Sequence, residues 1–123
     1  MTDKPDSVYL YARDIRFFAD HYGVSPSKSK GQNFLCDANT VRKIVALSGV
    51  GTGDHVVEVG PGLGSLTLGL LVTGASVTAI EIDDRLARAT TDIVASRLPE
   101  ASLEVRCLDA LAVTELPADA KFL

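Results

Sequence analysis

The spacing of apolar residues changes character near residue 50. In "ARDIRFFADHYG" Ile15, Phe18 and Tyr22 recur three and four apart, which lines them along one side of a helix, and Gly23 can take the left-handed conformation that closes it. "VSPSKSKGQNFL" has no period and reads as an ordered or ligand-dependent loop. "DANTVRKIVALSG" is helical again: Asp37 stands where a cap is needed, Val41, Ile44 and Val45 form one face, and Gly49 can end it. Beyond Gly51, short apolar runs alternate with helical stretches. His55 to Val59 predicts a buried strand, "SLTLGLLVTG" a helix ending near Gly74, and "ASVTAIEI" a second strand. "DDRLARATTDIVASRLP" carries Leu86, Ala89, Ile93 and Leu98 on one face and stops at Pro99, before a third strand in "LEVRCL". Strands alternating with helices predict a parallel sheet built from right-handed crossovers, an α/β fold of Rossmann type.

The pattern divides the chain into an N-terminal helical extension with its loop, 1–49, and the first half of an α/β domain, 50–123. Phe122 and Leu123 read as the first apolar residues of a fourth strand. Three parallel strands leave an edge and helix faces uncovered, so the expectation is a domain cut short after its third strand.

Composition narrows the class. With 123 residues, 46 % of them hydrophobic and 23 % charged, the chain is sized for one globular core. It has no run of roughly eighteen apolar residues, and "MTDKPDSVYLYARD" lacks the apolar stretch of a secretory signal, so the expectation is a cytoplasmic monomer with no membrane partner. Cys36 and Cys107 match no metal-ligand spacing; both are expected to be reduced, in the core or near the site, with no disulfide and no metal. The net charge of -4 is unevenly spread: residues 1–50 carry +2 and residues 51–123 carry -6. A polyanion, if one binds, should meet the first segment.

The candidate chemistry lies in "VVEVGPGLGSLT", residues 56–67. A strand that ends in Gly60-Pro61-Gly62-Leu63-Gly64 and opens into a helix lets a ligand approach bare backbone. A dinucleotide fingerprint, G-x-G-x-x-G, would need glycine where Ser65 stands; the spacing here is E-x-G-x-G-x-G from Glu58. A carboxylate just before the turn suits a cationic amino or sulfonium group better than a pyrophosphate, which points to S-adenosylmethionine. Glu58 can equally be a structural carboxylate accepting loop amides, and the two roles can coexist. Glu81, 21 residues after Gly60, ends the second strand where an acid accepts from ribose hydroxyls; its alternative is a helix-start acid beside Asp83 and Asp84. Asp109, after the third strand, can accept from the adenine amine or cap the short "ALAV" turn.

"KGQNFLCD", residues 30–37, together with "VVEVGPGLGSLT", "AIEID" and "RCLDAL", resembles the ribosomal RNA adenine dimethyltransferases that act on the small subunit, from about Ile15 to the C-terminus. The resemblance implies a Rossmann-type S-adenosylmethionine-dependent methyltransferase fold. It further implies an enzyme that places two methyl groups on N6 of each of two adjacent adenines near the 3′ end of small-subunit rRNA, with the pre-mature small subunit as partner. It makes the loop that holds Asn33 and Leu35 the one by which the cofactor enters, with those two residues at its methionine end, Gly60 beneath it, Glu81 on the ribose, Ile82 packed on the adenine and Asp109 on the adenine amine. Gln32 and Phe34 would help close the site, although Phe34 and Leu35 read from the residues alone as core anchors. Lys28 and Lys30 are candidate phosphate contacts, or plainly solvated. In the family an Asn-x-Pro-aromatic motif holds the target adenine; none occurs in these 123 residues, so catalytic residues are expected beyond Leu123 and the polypeptide alone is not expected to methylate RNA. Two other readings share parts of the pattern: a sister dimethyltransferase acting on large-subunit rRNA, and a nucleic-acid-binding relative without catalysis.

Overall fold

In a computed structural model the described residues are 8–24, 38–113 and 120–122. Two helices come first, α1 (Ala12–Tyr22) and α2 (Ala38–Ser48), followed by β1 (His55–Val59), α3 (Ser65–Val72), β2 (Ser76–Ile80), α4 (Asp84–Arg97), β3 (Leu103–Arg106), a 3-10 turn at Ala110–Ala112 and the two-residue β4 (Lys121–Phe122). The α/β reading holds, with each predicted strand and helix in place. The sheet is parallel with order β3-β2-β1-β4. The fourth strand expected at Phe122 is present and starts one residue earlier, with Lys121 opposite Val56 and Phe122 opposite Val57. Backbone groups on that edge of β1 thereby gain partners. Lys121 Nζ also lies 3.3 Å from Asp54 Oδ2, pinning the start of β4 beside the start of β1.

Register decides which side chains meet the helices. His55 lies opposite Ser76 and Glu58 opposite Ala79, so Val56, Glu58, Val77 and Ala79 share one face. That face packs on α3 and α4: Val56, Val77, Ala79, Leu68, Leu70, Leu86 and Ile93 are almost wholly buried in one cluster, which also holds Leu10, Ile15 and Val41 of the N-terminal segment. α3 is apolar around most of its circumference and buried accordingly, because α2 covers its outer side. At Gly69 a Cβ would stand 2.6 Å from Val41 Cγ1 and 3.2 Å from Val45 Cγ2, so the absence of a side chain sets the α2–α3 approach.

α1 ends as its sequence predicts, with Gly23 at φ +67° and its amide turned back to the carbonyls of Ala19 and Asp20. It lies antiparallel to α4, tied at three levels: Arg97 to Asp14 at 3.5 Å, the Tyr22 hydroxyl to Asp92 at 2.9 Å, and Arg85 Nη1 to the Gly23 carbonyl at 2.7 Å. No helix among the described residues is long and apolar enough to cross a membrane.

Candidate functional site

The carboxyl ends of β1 and β2 bring together most of the predicted site residues that are described. β1 runs directly into the turn at Gly60, whose φ of +70° an L side chain rarely adopts. Its amide donates to the Ile80 carbonyl at 2.9 Å, carrying the ladder one step past β1. A Cβ on Gly60 would meet nothing within 4 Å, so this stretch of backbone faces open space. The turn closes with the Gly64 amide donating to the Pro61 carbonyl at 2.9 Å, and Gly64, at φ +97°, offers no side chain to cap α3.

The turn is held from behind. Thr90 of α4, fully buried, donates from Oγ1 to the Gly62 carbonyl at 2.7 Å, and a Cβ on Gly64 would come within 3.4 Å of its Cγ2. The sequence reading missed Thr90, since a threonine in mid-helix carries no signal of what it faces.

Two carboxylates lie under and beside the turn on the same sheet face. Glu58, 3 % exposed, accepts from the Thr67 hydroxyl at 2.5 Å. Of the roles weighed for Glu58, acceptance of loop amides is replaced by this bond to α3; Thr67 was not singled out in advance. Burial pushes the Glu58 carboxyl up to about 7, the Thr67 hydrogen bond works against that rise, and the charge of Glu81 adds to it. Glu81, 4 % exposed, stands one residue past β2; its amide donates to the Arg106 carbonyl at 2.9 Å, and its Oε2 accepts from the Asp83 amide at 3.1 Å. Asp83 in turn caps α4, accepting from the amides of Arg85 and Leu86, so the helix-start role belongs to Asp83 and leaves Glu81 turned under the strand tips.

Around this pair the surface is apolar and open. Ile82 is 66 % exposed, Val59 is half exposed, and Leu111 projects fully into solvent. Cys107, exposed, has Sγ 3.9 Å from the Ile82 carbonyl, near the site and not in the core. Asp109 does cap the turn that follows it, its Oδ1 accepting from the Leu111 amide at 2.9 Å, and it remains exposed beyond the tip of β3. Asn33 and Leu35, with Gln32, Phe34, Lys28 and Lys30, lie outside the described residues. No group of three His, Cys, Asp or Glu side chains among the described residues is arranged to hold a metal. A cavity of about 580 Å³ lies at the opposite, amino ends of the strands, between Gly53, Ser76, Arg97 and Pro99, and contains none of the predicted site residues.

Glycines at a strand tip, a buried carboxylate below them and a second at the next tip form a crevice suited to a cationic nucleoside. Known proteins agree with the architecture. Residues 25–120 match the model of the family described as ribosomal RNA adenine dimethylase. Ribosomal RNA small subunit methyltransferase A of Cutibacterium acnes is 59 % identical over 110 residues, which is 88 % of this chain and 37 % of that protein, so the chain spans little more than a third of its curated relative. Among solved structures, the 23S rRNA methyltransferase ErmE superposes with TM-score 0.60 at 34 % identity over 69 % of this chain and 34 % of its own. A dimethyladenosine transferase from Plasmodium falciparum gives TM-score 0.62 at 27 % identity over 74 % of this chain and 33 % of its own. With more than half of its residues matched in sequence, on the same methyltransferase fold, the chain belongs to the ribosomal RNA adenine dimethylase family.

Proposed function

We propose that this chain binds S-adenosylmethionine and forms the cofactor half of an enzyme that dimethylates N6 of two adjacent adenines near the 3′ end of small-subunit rRNA. The observation that carries the reading is the pair of buried carboxylates, Glu58 and Glu81, on one face below a turn whose Gly60 backbone is open. A buried carboxylate such as Glu58, whose ionisation burial and the nearby charge of Glu81 disfavour, is relieved by a cation placed between or above the two side chains. A dinucleotide would set its pyrophosphate against the same charges.

The residues present fit the cofactor. Glu81 is positioned to accept from ribose hydroxyls, its orientation held by the Asp83 amide. Ile82 offers an exposed apolar face to the adenine ring, and Asp109, with one oxygen engaged by the Leu111 amide, has a second for the adenine amine. Gly60 lets the ligand approach the backbone, and Asn33 and Leu35 are assigned to its methionine end. When bound, the cofactor supplies an activated methyl group, so the protein's task is chiefly to orient donor and acceptor. The 59 % identity to a small-subunit methyltransferase, against 34 % to the 23S enzyme, favours small-subunit rRNA as the substrate.

Calorimetry with S-adenosylmethionine and with NAD tests the reading directly. Binding of the first and not the second is expected. Glu81→Ala should weaken it by about tenfold or more, because the ribose hydroxyls lose an acceptor in a buried site. A folded protein that binds neither compound would remove the crevice from consideration, and an undiminished affinity in folded Glu81→Ala would remove Glu81 from the site.

A further inference from the structure

The crevice does not use the outward side of α1. Ties to Asp92, Arg97 and Arg85 turn Tyr22, Asp14 and the helix end toward α4, while Ile15 and Ala19 enter the core. This leaves Arg13, Arg16, Phe17, Asp20 and His21 facing outward. Arg13, Phe17 and His21 are four apart, so they form one stripe. Phe17 is 63 % exposed, and its ring lies almost parallel to that of His21, with centroids 6.1 Å apart and 12° between planes; Phe18 braces it edge-on at 5.3 Å. Neither Arg13 nor Arg16 forms an ion pair or hydrogen bond among the described residues. One acid, Asp20, stands against these two guanidinium groups.

A single exposed aromatic needs no explanation. A braced, stacked aromatic pair flanked by unpaired arginines is a different arrangement. It combines a ring face on which a base can stack with charges that can meet phosphates, the two components of surfaces that hold unpaired nucleic acid. Position supports the same partner. Because α1 is antiparallel to α4, the His21 end lies beside the start of α4, the end of the sheet where Glu81 and Gly60 sit. Arg88, exposed on α4 and near enough to Tyr22 for its charge to act on the phenol, extends the positive field at that end. Two of the seven basic residues of 1–50, Arg13 and Arg16, thus lie on a helix face whose His21 end adjoins the crevice.

We infer that the outward face of α1, through Arg13, Arg16, Phe17 and His21, is a docking surface for single-stranded RNA, with a base stacked on Phe17 and phosphates on the two arginines. The inference rests on the reading of rRNA as substrate but concerns residues that the cofactor does not touch, so the two can fail separately.

The test is fluorescence anisotropy of the full chain with a labelled single-stranded RNA across a salt series, with calorimetry for S-adenosylmethionine run in parallel. Phe17→Ala should weaken RNA binding by about fivefold or more, the lower end of what one base stack contributes, and Phe17→Tyr should restore it. Replacing Arg13 and Arg16 together by alanine should flatten the plot of log affinity against log salt by about 1.4, the value for two phosphates on a single strand. Cofactor affinity should be unchanged in every variant, and circular dichroism should show each folded, since all three side chains are exposed. RNA affinity and salt slope equal to the parent's would overturn the surface while leaving the cofactor reading standing. A parent that binds no RNA would overturn it as well. So would a Phe17→Ala variant that converts a dimer to a monomer without altering RNA affinity, which would mark the face as a contact between copies. Phe17-dependent RNA binding in a protein that ignores S-adenosylmethionine would uphold the surface and sink the cofactor reading instead.

Discussion

Glu58 is the residue on which the crevice's electrostatics turn. Its carboxyl titrates near 4.5 in an unfolded chain and at about 7 in the fold. A folded-state value above the unfolded one means the native state holds the proton more tightly. Its contribution to stability is therefore complete below about pH 4.5 and is lost as pH rises through 7. Glu58→Gln keeps the shape and an acceptor for Thr67 but cannot ionise. Urea denaturation should find parent and variant close at pH 4.5 and the variant more stable at pH 8, by up to about 3 kcal/mol for a shift of this size. Equal pH dependence in the two proteins would show that Glu58 is hydrated in the native state. The same burial explains why a cation is the fitting ligand: it favours the ionised carboxylate that the protein alone disfavours.

At the scale of elements, the α2–α3 contact is close packing that a single substitution can probe. α3 meets α2 across Gly69, where an added methyl would lie 2.6 Å from Val41 Cγ1. Helix propensity alone makes Gly69→Ala favourable by about 1 kcal/mol. Overpacking against two β-branched side chains, one of them nearly fully buried, costs about 1–3 kcal/mol and opposes it. The second effect should win. Gly69→Ala is expected to lower the urea midpoint, and Gly69→Ala combined with Val41→Ala should recover part of the loss; a single variant more stable than the parent would show that the helices separate freely. Gly69 sits in an apolar helical run, so its sequence neighbours indicate a helix and say nothing about α2. Pattern locates α2 and α3 correctly, whereas their interlock depends on which turn of one faces which turn of the other.

For the molecule as a whole, Arg97 is the bolt between the N-terminal segment and the α/β unit. It lies 3.5 Å from Asp14, donates to the Tyr9 carbonyl at 3.0 Å and the Val8 carbonyl at 3.4 Å, and stands 5.9 Å from the centroid of Phe18. Arg97→Met keeps most of the stem and removes the donors. It should cost about 1–2 kcal/mol, the range for lost hydrogen bonds to a charged group, and expose the chain around residues 8–24 to proteolysis. Protease resistance equal to the parent's would assign the docking of α1 to Ile15 and Ala19 alone. Because α1 carries the outward aromatic and basic face, its attachment decides whether that face is held in a fixed position beside the crevice.

What the sequence determined by itself is what depends on near neighbours along the chain: the period of its apolar residues, the left-handed glycines at turns, and the strand-turn-helix passage from Glu58 to Thr67. These follow from local backbone geometry, which is why the strands, the helices, the open turn at Gly60 and the acid at Glu81 were legible in advance. Tertiary structure alone decided that Thr67 takes the Glu58 carboxylate, that Thr90 anchors the turn from α4, and that β4 pairs along the edge of β1. Each of these joins groups that the chain must fold to bring together. The near-neutral titration of Glu58 has the same origin: it exists only because β1 is central, flanked by β2 and β4 and roofed by α3, and burial is a property of the assembled layers.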